Sequence, residues 1–340
     1  MRAVLVGEAM LELSQEGSLW RLAYGGDTLN TAIHLARSGV ETAYLSALGT
    51  DPFSEDLRTR WAAEGLDTSL VLDNPSRNPG LYAITCDDMG ERSFTYWRGE
   101  SAARALFDCP GIETALAQAE SADLLAFSLI SLAILPQSGR QGLLTLARKV
   151  RANGGLVAFD GNYRPRLWPD QATARAARDA AIAVASIGLP TLEDETMLSG
   201  ETDAEAVAAH WQGLGCSETI VKLGPEGCRL PDGEIVPPPK SCARWTPAAP
   251  ATPSTQVTSA RACAAKRQHR PQSRATLWPA GPSCAGAQYR RGIPTEGEHA
   301  RLGVHVSYLS HFAESRPSGY DAIVVVRPAC QTRMGEQFPE

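Results

Sequence analysis

A chain of 340 residues is long enough for one large or two ordinary domains, and its 43% hydrophobic and 21% charged residues are typical of a globular protein. A formal net charge of −6 argues against a general nucleic-acid binder, and no apolar run approaches the roughly 18–20 residues a membrane helix needs. Residues 1–13 already carry Glu8 and Glu12 and lack the basic-then-apolar order of a secretory leader. The eight cysteines form no CxxC pair and no Cys/His metal spacing, so they are expected to be reduced thiols of a cytoplasmic protein.

Residues 2–7 (RAVLVG) read as a buried strand ending in Gly. The pair Gly25-Gly26 then opens a helix in which Leu29, Ala32, Ile33 and Ala36 recur at helical spacing, with Asp27 or Thr28 as N-cap and Gly39 as the stop. Residues 43–48 read as a strand and 56–64 as a helix. Residues 81–85 and 92–97 read as strands joined by the Asp- and Gly-containing turn 87–90. This hairpin, with about 9–24, stands outside the strand–helix alternation and is expected to form a small β lid. Strands at 124–128, 156–160 and 219–222 alternate with helices at 139–152, 172–185 and 204–213. That order implies a doubly wound, mostly parallel sheet with helices on both faces.

The rhythm fails after Pro237-Pro238-Pro239. Residues 241–340 carry 12 Lys+Arg against 6 Asp+Glu, whereas the preceding residues carry 20 against 32. Apart from a strand-like stretch at 322–326, this tail is a mixture of Pro, Arg, Ser, Ala and Gln without period, expected to be disordered or irregular.

Four segments carry chemistry. Gly25-Gly26-Asp27-Thr28-Leu29-Asn30 places a helix N-terminus beside two small residues and two groups able to bond hydroxyls; it equally fits a plain glycine turn. Gly80-Leu81-Tyr82 with Tyr96-Trp97-Arg98 offers flat apolar cover and a guanidinium fork for a carboxylate, or ordinary cross-strand packing. The segment from Asp160 through Asn162, Tyr163 and Arg164 to Trp168 lies past the carboxyl end of a strand, where open sheets bind ligands; a polar loop is the alternative. Lys222, Gly224 and Gly227 form a turn that could flank a nucleotide or be a simple β-turn.

In their order and spacing these segments (GGDTLNTA, ALGTD, GLY, ERSFTYWR, SLAIL, FDGNYRPRLW and VKLGPEGC) resemble the 2-keto-3-deoxygluconate (2-dehydro-3-deoxygluconate) kinases of the ribokinase-like, PfkB-type carbohydrate kinases. The resemblance covers residues 1 to about 240. It implies an ATP-dependent phosphotransferase with Mg²⁺, acting on a sugar acid, and an oligomer formed through the lid. It implies substrate binding at Gly26, Asp27, Thr28, Leu29, Asn30, Tyr82, Tyr96, Trp97, Arg98 and Arg164. ATP binding is implied at Asn162, Tyr163, Arg164, Lys222, Gly224 and Gly227. Two arginines suit a substrate carrying a carboxylate, while fructokinases, ribokinases and a non-catalytic sugar-acid binder share the same framework.

The family's Asp-Thr-x-Gly-Ala-Gly-Asp motif, which supplies its general base and phosphoryl-binding amides, is absent from the sequence. In its place stands TPAAPATPSTQ from Thr246. Read one nucleotide earlier, the codons of Trp245 and the residues after it permit Val-Asp-Thr-Ser-Gly-Ala-Gly-Asp-Ser-Phe-Asn-Ala. The same offset across Cys284 to Arg291 permits Gly-Ala-Ile-Pro-Pro-Arg, which resembles the family's C-terminal end. A one-base frameshift near Lys240 is therefore expected, with residues 241–340 read out of frame, no family fold in them and no catalytic base in the chain as written.

Overall fold

A computed structural model describes residues 1–86 and 92–238. The expected turn at 87–90 and everything expected of 241–340 lie outside the described residues. Strand β1 (Arg2–Val6) is aliphatic and buried on both faces, as a central parallel strand must be. It is followed by β2 (Met10–Glu16), β3 (Leu19–Gly25), α1 (Asp27–Arg37), β4 (Glu41–Leu48), α2 (Pro52–Ala63), β5 (Val71–Asp73), β6 (Gly80–Cys86) and β7 (Arg92–Trp97). Then come α3 (Ile112–Ala119), β8 (Leu124–Ser128), α4 (Leu129–Ile134), α5 (Gln137–Ala152), β9 (Leu156–Asp160), α6 (Gln171–Ile182) and β10 (Ile187–Leu189). The described chain ends with α7 (Leu192–Ser199), α8 (Ala204–Gly213), β11 (Glu218–Thr219), β12 (Val221–Lys222), β13 (Cys228–Arg229) and β14 (Ile235–Val236).

The main sheet runs β11-β10-β9-β8-β1-β4-β5, and every neighbouring pair in it is parallel. The chain winds from β1 outward to β4 and β5, then returns to β8 on the other side of β1. The winding direction therefore reverses at β1, and open α/β sheets bind ligands beside such a reversal, at the strands' carboxyl ends. One face is packed by α3 to α8, with Phe127, Phe159 and Trp211 in ring contact at 5.4 and 5.5 Å. On the other face the described helices in the core are α1 and α2. There Tyr44 meets Trp61 edge-on at 5.6 Å, and each buried large side chain contributes about 1.5–3 kcal/mol.

The lid is a second sheet, β3-β2-β6-β7, as expected from 9–24 and 81–98. Its inner pair β2–β6 is parallel and its outer pairs antiparallel. A small antiparallel sheet, β12-β13-β14, closes the described chain. Among the described residues no helix is long and apolar enough to cross a membrane.

Several boundaries differ from the expectation. The N-cap of α1 is Gly26, without a side-chain cap bond, not Asp27 or Thr28. Helix α2 starts at Pro52, before the expected 56, because Asp51 caps it and Pro fits its first position. The strand expected at 219–222 is split. Ile220 donates its N–H to the Gly188 carbonyl at 2.9 Å, and the chain then leaves the main sheet to pair with β13. Strand β10, with three residues, is too short to show a period, and α7 opens with three acids rather than an apolar repeat.

Candidate functional site

The first segment sits at the reversal point. A Cβ on Gly26 would lie 2.5 Å from the Glu8 carbonyl oxygen, and one on Gly25 would lie 2.4 Å from Tyr82 Oη. The two glycines thus let the loop after β1 and the lid close onto the start of α1. Asp27 Oδ1 accepts the Thr28 N–H at 2.8 Å, and Oδ2 accepts Asn162 Nδ2 at 3.1 Å. Thr28 is buried, with Oγ1 3.0 Å from Tyr44 Oη. Leu29 is fully buried in the sheet core, so only its backbone is left for the expected sugar contact. Asn30 is half-buried, its N–H bonded to the Gly26 carbonyl at 2.9 Å.

The lid brings Tyr82 and Tyr96 together as cross-strand partners, ring centroids 5.8 Å apart. Trp97 pairs with Leu81 instead and is 56% exposed. Successive strand residues point to opposite faces, so the Tyr96 and Trp97 side chains lie on opposite faces of the lid. The Tyr82 hydroxyl donates to Glu12. Burial first, and then the Glu12 charge, raise the Tyr82 phenol above its ordinary range. Arg98, expected to await a substrate carboxylate, already donates to Glu8, whose side chain is 1% exposed.

Past β9, Asp160 accepts Lys222 Nζ at 2.8 Å. Asn162 reaches back to Asp27, tying this loop to α1. Tyr163 is buried in the core with its N–H 3.3 Å from Asp194 Oδ2; its ring is committed to packing rather than to a nucleotide. Arg164 Nη1 donates to Asp194 Oδ1 at 3.2 Å and to the Tyr163 carbonyl at 2.5 Å. Lys222 is itself buried, so its ammonium serves Asp160. Gly224 and Gly227 take φ of 60° and 100° in the turn between β12 and β13. A bridge from Thr191 to Lys222 sets that turn beside the start of α7, which carries Asp194. The structure therefore joins the third and fourth segments to each other, and the third to the first.

Sequence reasoning missed Glu8, Glu12 and Asp194. The available signal was a pair of acids in an otherwise apolar stretch next to the first strand. Among the described residues no group of three or more His, Cys, Asp or Glu could hold a metal ion.

A cleft lined by Asp27, Thr28, Thr31, Ser128 and Asp160, with Ala126 and Ala158 at its base, lies between α1 and the carboxyl ends of β8 and β9. It lies at the strand reversal, where open α/β sheets bind small molecules. Comparison with known proteins accords with this. The 2-dehydro-3-deoxygluconokinase of Dickeya dadantii (strain 3937) is 42% identical over 228 residues, 66% of this chain and 74% of that protein. The crystal structure of a PfkB protein from Polaromonas sp. JS666 superposes with a TM-score of 0.62 at 30% identity, covering 69% of this chain and 82% of the other. Aminoimidazole riboside kinase from Salmonella enterica, solved with aminoimidazole riboside and an ATP analog, shares the fold at a TM-score of 0.59 and 24% identity, over 71% and 77% of the two chains. The family model described as pfkB family carbohydrate kinase matches residues 3–259, and the chain belongs to that family of carbohydrate kinases.

Proposed function

We propose that the chain is, by descent, an ATP-dependent kinase of 2-keto-3-deoxygluconate, transferring a phosphoryl group to the 6-hydroxyl. The observation that carries this reading is the hydrogen bond from Asn162 to Asp27 at the carboxyl ends of the sheet. It unites the segment proposed for the sugar with the one proposed for the nucleotide. In this reading Gly26, Asp27, Thr28 and Asn30 bind the sugar hydroxyls, Tyr82 and Tyr96 cover them, and Arg98 stands behind the lid on Glu8. Arg164, held by Asp194 with 25% of its side chain exposed, meets the carboxylate through a charge-assisted fork. Asn162 and the turn from Lys222 to Gly227 border ATP. Mg²⁺ would neutralise charge on the transferring phosphates.

The general base and phosphoryl-binding amides of the family are absent from the chain as written. The proposal therefore includes a frameshift near Lys240, with the catalytic Asp encoded in the neighbouring frame. Removing a general base costs about 10²–10⁴-fold, and loss of the anion-binding helix adds to this. Two measurements test the reading. Sequencing the DNA around codon 240 is expected to show one base gained or lost relative to an open catalytic frame. The purified chain as written is expected to show negligible ATP-dependent phosphorylation of 2-keto-3-deoxygluconate. Turnover of about 1–100 s⁻¹, ordinary for a kinase, would refute the lesion. Absence of ligand-induced stabilisation by the sugar acid would refute the binding site.

A further inference from the structure

A tyrosine hydroxyl has one proton to donate and two lone pairs. In this site the Tyr82 proton has a fixed destination, because Tyr82 Oη donates to Glu12 Oε2. Glu12 Oε1 accepts a second bond from Ser14 Oγ at 2.9 Å. A carboxylate has no proton to return, so the direction of the Tyr82–Glu12 bond is set. Glu12 and Tyr82 are register partners across the parallel pair β2–β6. Phe94 and Tyr96 pack on the ring at 6.5 and 5.8 Å. The oxygen itself lies over Gly25, at the turn that opens α1.

We propose that Glu12 sets the polarity of Tyr82, so that the lid presents to the sugar site a hydrogen-bond acceptor without a donor, and reads there a ligand hydroxyl that donates. A carboxylate or keto oxygen at this point would meet lone pairs with no proton between, and the negative charge of Glu12 behind them. The acid end of a sugar acid is thereby left to Arg164, and a hydroxyl-bearing carbon faces the lid. Glu12 is a positioning residue that determines specificity through Tyr82. The inference rests on the reading that Tyr82 lines the sugar site.

Calorimetric titration of the full chain tests it, using 2-keto-3-deoxygluconate and analogues in which the C4 or the C5 hydroxyl is replaced by hydrogen or by fluorine. Fluorine accepts weakly and cannot donate. At one of the two carbons both replacements are expected to weaken binding to the wild type by about tenfold, and equally. Y82F is expected to bind the parent and those two analogues alike. E12M removes the acceptor and so frees the Tyr82 proton, and is expected to bind the fluoro analogue several-fold more tightly than the deoxy analogue. The comparisons between analogues are ratios within one protein, so an effect of the substitution on folding cancels in them. A fluoro analogue that binds the wild type as tightly as the parent, while the deoxy analogue is weak, shows Tyr82 donating and overturns the proposal. Parent affinity unmoved by Y82F overturns it too, as does an E12M that weakens every ligand by one common factor. These three outcomes leave the sugar site standing, whereas failure of the wild type to bind the parent at all removes the site and the inference together.

Discussion

Arg178 and Glu195 are each 2% exposed and meet at 2.5 Å, with Trp211 Nε1 donating to the same carboxylate at 3.2 Å. Burial lifts the Glu195 carboxyl above its ordinary range even though Arg178 opposes the shift. Removing one member of a buried pair strands the other, at a cost of about 3–5 kcal/mol. R178M is therefore expected to lower stability by about 3 kcal/mol at pH 7. The sign of its pH dependence follows from the carboxyl left behind. A group whose folded pKa is raised binds its proton more tightly when folded, so the fold gains stability as pH falls through that pKa. The deficit of R178M should shrink between pH 7 and pH 5, and urea midpoints at the two values check it. A deficit that is constant or grows on acidification would show that Glu195 is not the group left stranded.

At the scale of elements, α2 owes its start to Asp51, which accepts the N–H groups of Phe53 and Ser54 at 2.9 and 3.1 Å. Burial alone would raise the Asp51 carboxyl, but these bonds and the Ser54 hydroxyl bring it below the usual carboxylate range. A depressed folded pKa gives stability that is present above the unfolded value and lost as pH falls through the folded one. D51A should cost about 1 kcal/mol at neutral pH and progressively less below about pH 4, as measured by thermal melting across that range. Asp51-Pro52 was a readable start signal, as were the glycines before α1 and the strand–helix alternation that gave the parallel sheet. The unread parts have physical causes. Glu12 and Tyr82 lie 70 residues apart, and Glu8 and Arg98 lie 90 apart. Nothing in the spacing of one strand names its partner on another, so side chains assigned to a ligand proved to be held by internal acids. Tyr96 and Trp97 are adjacent in sequence, and adjacency in a strand means side chains on opposite faces.

For the whole molecule, the uneven cover of the main sheet is the leading feature. Six described helices pack one face, and α1 and α2 the other. The residues under α1 and α2, among them Leu124, Ile187 and Ile220, are nonetheless buried. Restoring the catalytic frame after codon 240 is expected to raise kinase turnover by at least about 10²-fold. Turnover unchanged by the restored frame would show that the lost segment is not what the chain lacks for catalysis. The lid also exposes Leu19 (73%), Trp20 (49%) and Trp97 (56%). We propose that it pairs with a second copy, and W97E should then shift sedimentation toward the monomer, while an unchanged profile would discount the lid as the contact.

The route of the chain through the lid has a mechanical consequence. Strand β1 runs through Gly7, Glu8 and Ala9 into β2, and β3 runs through Gly26 into α1. The cover of the site is thus spliced in series between the central strand and the helix beneath it, like a link in a lever rather than a flap on a hinge. Any swing of the cover must pull on the helix start that cradles Asp27, so opening the site and loosening its floor are one motion.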